Sequence, residues 1–419
     1  MSERRRIRWL VGVAAAASLL AGAVPAWGRV RLVTLPVRER VEIQLDNLNA
    51  TLVEEERIVT LLKGTNHIDF SWSTVGIDKG MIQFRVVNMP LRRKRGDDPP
   101  SAVRPDGKVE QIRIVHVAYP PGENALVWQV WTEKPYAARV RVSYLVANLR
   151  PSFHYRALAD HDERELVLRK YIRVDNLSGE AFGSSGIWAG FGNYFHREVG
   201  LNEAKQMLIW KFTGVPITKT YTFDWYGGQA VSDEPEQRYV AMHYVLTNSA
   251  KHHMGLFPLQ PGKVRIFQDD GRGGEAFIGE DWGGFTPIDD KMKLYLGLAR
   301  DVVVRRRVMK TTRHGVKGNL FDQELRIEYT IENFKNRPVL LDIPVNMDNL
   351  RNEFATQRGE FDCEWEILDD GTSLTKQQIE RKDVTNVVYH VPLPAAPKDP
   401  GAKVEPVTVT VHLMLRNVW

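Results

Sequence analysis

The chain has 419 residues, a formal net charge of +5 and a single cysteine. One cysteine excludes any intramolecular disulfide, so the core must be held together by packing and hydrogen bonds. A net charge this small does not indicate nucleic acid or an anionic membrane surface as a partner.

Residues 1–28 predict a secretory signal peptide. Four arginines near the start precede an apolar run, residues 9–24, and small residues around Ala26 provide a cleavage point. This order of features is typical of an exported chain. We expect the mature protein to begin at Trp27 or Arg29, with a charge near +2, because the removed segment carries +3 of the total +5. An uncleaved membrane anchor is the alternative, and the choice between Sec and twin-arginine export stays open.

Apolar and polar residues alternate over many short stretches beyond this segment. Residues 41–45, 140–144 and 325–331 are examples, and turn-forming residues separate them. A period of two predicts half-buried β-strands. Residues 353–358 and 376–382 are the candidates for short helices. The sequence therefore predicts an all-β chain of tandem β-sandwich domains, mostly antiparallel, with few short helices.

Proline and glycine at 120–122 mark a predicted domain boundary. Residues 29–119 predict a small N-terminal β domain, and residues 120–419 predict a large C-terminal β-sandwich assembly. Within the first domain, residues 92–108 begin with four consecutive basic residues, followed by acidic and proline residues. This composition predicts a disordered basic loop, because it offers little apolar surface to bury.

An ordered series of short strand and turn motifs resembles a known family. The motifs are residues 142–145, 153–156, 261–267, 277–280, 286–287, 294–297, 301–302, 305–306 and 328–333. In this order they resemble the C-terminal β domain of bacterial mucoidy-inhibitor-A-like proteins. Residues 53–59 and 63–66 are similar to the small N-terminal β domain of that family.

The resemblance implies a β-rich fold and an undetermined biochemical function. It carries over no catalytic residue, because the matching motifs consist of strand and turn positions. Two departures are visible: Phe153 stands where the family commonly has tryptophan, and no sustained heptads predict the coiled coil that many members carry.

The sequence contains no recognisable catalytic motif of the Gly-x-Ser-x-Gly, P-loop or His-Glu-x-x-His type. Residues 160–163 have side chains of the kind that bind metals, but their adjacency favours a solvent-facing surface turn. Residues 252–253 and 269–274 also lack a complete ligand set, and the second stretch fits a wide turn. We therefore predict no metal and no cofactor, and we interpret Cys363 as a strand residue rather than a nucleophile.

Aromatic residues in a glycine-rich stretch, residues 186–195, form the candidate binding loop. Trp188, Phe191 and Tyr194 lie among glycines that weaken a regular strand, so we predict that they occupy irregular, exposed backbone. Aromatic faces on a loop can stack on sugar rings or be covered by a partner protein. Packing in the sandwich core is the alternative.

These features predict a non-enzymatic protein of the periplasm or cell envelope that binds another protein or a glycan. One alternative is a carbohydrate-active hydrolase, whose carboxylate pair a sequence cannot locate. Another is an outer-membrane β-barrel component, because residues 407–415 alternate towards a terminal Trp419. The sequence predicts no nucleic-acid partner, leaves membrane association open and does not indicate an oligomeric state.

Overall fold

The computed structural model describes residues 32–47, 49–72, 77–190, 192–318, 320–355, 364–399 and 402–418. The predicted signal peptide, Phe191, Cys363 and Trp419 lie outside the described residues. The chain is mostly β, with 62% strand and one α-helix in the described part, which confirms the predicted fold class. Within the described ranges, no helix is long and apolar enough to span a membrane.

The strands up to residue 146 are short to medium in length. They are β1 Leu32–Thr34, β2 Arg40–Gln44, β3 Thr51–Leu61, β4 Gly64–Ser71, β5 Gln83–Val86, β6 Leu91–Arg93, β7 Lys108–Glu110, β8 Ile112–Ala118, β9 Ala125–Thr132 and β10 Tyr136–Val146.

Longer strands predominate in the remaining chain. They are β11 Leu149–Ala159, β12 Glu165–Asn176, β13 Gly183–Trp188, β14 Tyr194–Val199, β15 Ala204–Pro216, β16 Thr218–Thr222, β17 Ala230–Val231, β18 Glu234–Thr247, β19 Gly262–Asp269, β20 Glu275–Gly283, β21 Lys291–Lys317, β22 Leu320–Asn333, β23 Val339–Asn346, β24 Glu364–Ile367, β25 Ile379–Arg381, β26 Asn386–Leu393 and β27 Val407–Val418. The helix α1 is Met347–Phe354.

The chain forms two compact units, and each includes a short segment that lies within sequence belonging mostly to the other. Among the described residues, the first unit consists of those in 32–43, 52–147 and 178–186, and the second of those in 44–51, 148–177 and 187–418. The first unit thus extends beyond the predicted boundary at residue 119.

Two sheets of the first unit share an aromatic core. One sheet has the order β1-β4-β9-β8, and the other contains β13, β2, β3, β10 and β5 in that order. Phe70 of the first sheet contacts Tyr144 of the second, with ring centroids 5.6 Å apart. Trp128 and Phe84 make a second contact between the sheets at 4.7 Å. Aromatic burial of this kind makes a large contribution to the stability of a small sandwich.

The basic segment at residues 92–108 differs from the prediction of a disordered loop. Its two ends, β6 and β7, pair as an antiparallel hairpin. Arg92 donates hydrogen bonds to Asp98 at 2.8 Å and to Glu133 at 2.7 Å. Asp98 from the segment itself and Glu133 from outside it thus pair with the basic run, which explains why the like charges do not drive the segment apart.

The second unit contains a five-stranded sheet, β15-β12-β11-β19-β20, and a ten-stranded sheet. The larger sheet has the order β24-β27-β22-β21-β18-β16-β23-β26-β25, and β17 pairs with β18. Most pairings are antiparallel, whereas β11 with β19 and β16 with β23 are parallel. The smaller sheet positions the candidate site described below.

The helix α1 begins where a side chain caps it. Asn346 accepts a hydrogen bond from the backbone N–H of Asn349 at 2.9 Å, as an N-cap residue does. Met347 and Leu350 are buried in the core of the larger sheet. The helix therefore begins before the predicted candidate at 353–358, because the cap and the apolar face lie upstream of it.

Candidate functional site

The predicted aromatic loop is a tight turn between β13 and β14. The backbone N–H of Ala189 donates to the carbonyl of Asn193 at 2.9 Å, and Asn193 donates to Gly190 at 3.0 Å. Gly190 has a φ of 79°, in the left-handed region that favours glycine. Trp188 is the last residue of β13, and Tyr194 is the first of β14. The prediction of irregular backbone is therefore wrong for these two residues.

The structure brings two of the three predicted aromatic residues together. The ring centroids of Trp188 and Tyr194 are 4.7 Å apart, and their planes are inclined by 51°. Trp188 is 39% exposed and Tyr194 is 43% exposed. Phe191, the third residue, is not among the described residues. This contact, called the Trp188–Tyr194 pair below, leaves both residues partly exposed to solvent.

A pocket of about 390 Å³ begins at the residue that follows Trp188. Its lining is mostly apolar and includes two polar side chains. The lining residues are Leu45, Asp46, Phe153, Ala189, Gly190, Gln260, Pro261 and Phe285. Phe153 is buried, whereas Phe285 and Asp46 are exposed, so the lining runs from the core to the surface. We call this cavity the Gln260 pocket, and its volume is in the range of small-molecule sites.

Gln260 connects the pocket to a buried lysine. The ammonium group of Lys170 donates to Oε1 of Gln260, and the hydroxyl of Tyr155 donates to the Gln260 carbonyl at 2.7 Å. An ammonium group can only donate, so the amide must turn its oxygen towards Lys170. The amide NH2 then faces away from the ammonium group, and among the described residues it has no hydrogen-bond acceptor.

Lys170 lies on the buried face of β12 and is 1% exposed. Leu168 and Ile172 flank it on the same face. Its ammonium group faces the rings of Phe153 and Phe257, at 5.1 and 4.4 Å from their centroids. Burial lowers the pKa of Lys170 to about 8, because an apolar environment disfavours the charged form. Lys170 was not among the predicted site residues, although the alternation of β12 places it in phase with the core.

The side chain of Glu163 is only 7% exposed, which corrects the interpretation of residues 160–163 as a purely solvent-facing turn. Glu163 accepts hydrogen bonds from Lys219, from the hydroxyl of Tyr244 at 2.6 Å, and from Arg337. Burial raises the pKa of Glu163, but these donors outweigh burial and lower it to about 2. Two cations thus compensate this buried charge.

The first unit contains a comparable carboxylate, Glu55, which is fully buried on β3. It pairs with Arg38 and, at 3.0 Å, with Arg57. Lys170 differs from both carboxylates: in the described part of the chain its ammonium group bonds an uncharged amide and forms no ion pair. A buried charge without a counter-ion lowers the stability of the fold. Of these three groups, Lys170 is therefore the one that most strongly suggests a function.

The residues considered as metal ligands do not converge. Among the described residues, no group of three or more His, Cys, Asp or Glu side chains could hold a metal ion. Nδ1 of His252 bonds the hydroxyl of Ser249 at 2.7 Å. Asp270 accepts from the backbone N–H groups of Arg272 and Gly274, at 2.8 and 2.9 Å, which shapes the turn between β19 and β20.

No protein-family model matches the chain, and no curated protein matches it either. The resemblance to mucoidy-inhibitor-A-like proteins therefore stays a prediction that depends on the short motifs given above. The Trp188–Tyr194 pair and the Gln260 pocket are the features from which a function can be inferred.

Proposed function

We propose that this chain is an exported cell-envelope protein that binds a glycan through the Trp188–Tyr194 pair and performs no catalysis. We also propose that it is related to the mucoidy-inhibitor-A-like proteins. The signal sequence in residues 1–28 supports export. The observation that carries the binding proposal is the pair itself: two contacting rings, about two-fifths exposed, at the ends of adjacent strands.

The surroundings of the pair favour a glycan over a protein partner. His196 and Glu198 of β14 are exposed and lie on the same face of the strand as Tyr194, so polar side chains flank the aromatic surface. A stable protein interface buries about 800 Å² on each partner and usually has an apolar centre. Two partly exposed rings beside polar groups suit a sugar better, because a sugar offers C–H groups to the rings and hydroxyls to the polar side chains.

The turn geometry supports a preorganised site. Backbone hydrogen bonds close the turn from Ala189 to Asn193, and the strands on either side fix the positions of both aromatic residues. Aromatic side chains have few rotatable bonds, so holding them costs little entropy on binding. The pair can therefore contact a ligand without first becoming ordered.

Co-sedimentation with insoluble glycans tests the proposal. The wild-type protein is incubated with purified peptidoglycan and with immobilised envelope polysaccharides, beside the Trp188→Ala/Tyr194→Ala variant. We expect at least one glycan to retain the wild type. The variant should bind it at least about tenfold more weakly, because losing two partly buried contacts costs more than about 1.4 kcal/mol.

The matched control is Phe277→Ala/Trp282→Ala on β20. These residues are 59% and 63% exposed, so the control removes at least as much exposed aromatic surface elsewhere in the same unit. We expect the control variant to bind like the wild type. Equal binding by the Trp188→Ala/Tyr194→Ala variant, or no retention of the wild type by any glycan, would contradict the proposal.

A further inference from the structure

We infer that the Gln260 pocket binds a small ligand that has an apolar body and a carboxylate group. The carboxylate would accept a hydrogen bond from the amide NH2 of Gln260, whose oxygen accepts from the Lys170 ammonium group. This second site does not depend on the glycan proposal, because the ring contact between Trp188 and Tyr194 contributes no residue to the pocket lining.

The buried ammonium group of Lys170 forms no ion pair among the described residues. Lys170 is almost fully buried, and the acceptor described for its ammonium group is the neutral amide of Gln260. The rings of Phe153 and Phe257 stabilise the cation partly, but they carry no net charge. A carboxylate in the pocket would supply the missing counter-charge in an environment of low polarity, where ion pairs are strong.

Two hydrogen bonds hold Gln260 in place. The ammonium group fixes the orientation of the Gln260 amide, with Oε1 towards Lys170 and the NH2 group turned away from it. The Tyr155 hydroxyl holds the Gln260 carbonyl in the same way, at 2.7 Å. Burial raises the pKa of Tyr155, so this hydroxyl keeps its proton and goes on donating. The pocket therefore presents a fixed donor, which selects a ligand with an acceptor.

The walls of the pocket are mostly apolar. Leu45, Phe153, Pro261 and Phe285 are apolar, and a cavity of about 390 Å³ accommodates a body of several carbon atoms. An apolar body gains from contact with these side chains, whereas a small inorganic anion would leave most of the wall uncovered. The combination points to an aromatic or short aliphatic carboxylate.

Asp46 is the one carboxylate in the lining, and it opposes an anionic ligand. It is exposed to solvent, where water and salt screen its charge, whereas Lys170 is buried and screened much less. The net electrostatic potential at the amide of Gln260 is therefore expected to be positive. Asp46 also provides a useful test, since removing its charge should strengthen binding.

The experiment measures binding of benzoate, phenylacetate and hexanoate, each beside its own amide, by calorimetry or ligand-observed NMR on the full chain. We expect at least one carboxylate to bind about tenfold or more tightly than its amide. Lys170→Met should remove this preference and leave amide binding unchanged. Asp46→Asn should tighten carboxylate binding, and Trp188→Ala/Tyr194→Ala should not affect it.

Gln260→Glu provides an independent check with little change of shape. It gives Lys170 a permanent counter-ion and replaces the donor with a repelling charge, so carboxylate binding should be lost while the variant stays folded. The inference is overturned if all three carboxylates bind no better than their amides. It is also overturned if carboxylate binding survives in both Lys170→Met and Gln260→Glu.

Discussion

Lys170 occupies a buried position of β12 at which the alternating pattern of the strand otherwise places apolar residues. Burial lowers its pKa from 10.5 to about 8, so the folded chain holds this proton less tightly than the unfolded chain does. Between pH 8 and 10.5 the unfolded state binds more protons at this site. The contribution of Lys170 to the free energy of unfolding therefore rises with pH across this window, and below it the full cost of the buried charge applies.

Removing the buried positive charge of Lys170 should therefore stabilise the folded protein at neutral pH. We predict that Lys170→Met raises the free energy of unfolding at pH 7 by on the order of 2–3 kcal/mol, and that this gain shrinks as the pH approaches 10. Denaturant titrations of both proteins at pH 7 and pH 10 measure the difference. Lys211→Met, at an exposed position of β15, is the control and should change little at either pH. A destabilised Lys170→Met at pH 7 would show that the ammonium group contributes favourably.

For single residues, the sequence predicts burial but not the partner with which a buried group interacts. Alternation over residues 166–174 places Lys170 in phase with leucine, isoleucine and valine, so its burial was predictable. Its partner was not, because Gln260 is 90 positions away in the sequence. Glu163 shows the same limit: an acidic turn is usually solvated, and only tertiary contacts bring Lys219 and Arg337 to it.

At the scale of elements, strand pairing decided the structure of the glycine-rich stretch. Gly183 and Gly186 weaken local strand propensity, yet both lie in β13. Strand propensity depends strongly on neighbouring strands, which single-sequence reasoning does not see. Left-handed backbone occurs at Gly183, where β13 begins, and at Gly190 and Gly192 in the turn that follows.

A second glycine is needed for the parallel pairing of β11 with β19. A Cβ atom on Gly262 would lie 2.2 Å from the backbone oxygen of Phe153, which is a backbone collision rather than a side-chain contact. We predict that Gly262→Ala lowers the free energy of unfolding by about 1–3 kcal/mol. Gly284→Ala is the matched control, because its Cβ would meet nothing within 4 Å. Equal stability of the two variants in denaturant titrations would contradict this account of the β11–β19 contact.

At the scale of the whole molecule, the all-β fold followed from the alternating pattern, whereas the organisation into units did not. Residues 44–51 belong to the second unit and residues 178–186 to the first, although each lies within sequence that mostly belongs to the other. Such an exchange depends on contacts between distant segments. The proline and glycine residues at 120–122 therefore lie in the connection between β8 and β9, within the first unit.

The whole chain should fold without a metal. The described residues provide no closed set of ligands, and the acidic turns use their carboxylates to accept backbone hydrogen bonds. We predict the same thermal midpoint with and without an excess of chelator. A marked drop of the midpoint on chelation, restored by adding a divalent cation, would contradict this prediction.

Measuring stability and glycan binding on the same Trp188→Ala/Tyr194→Ala variant tests the central claim most directly. If the pair serves binding, glycan affinity should fall at least about tenfold, whereas the free energy of unfolding should fall by less than about 2 kcal/mol, since both rings are partly exposed. If the variant instead loses about 3–5 kcal/mol, as core aromatics do, and its folded fraction still binds the glycan, the pair is a packing element and the proposed function is wrong.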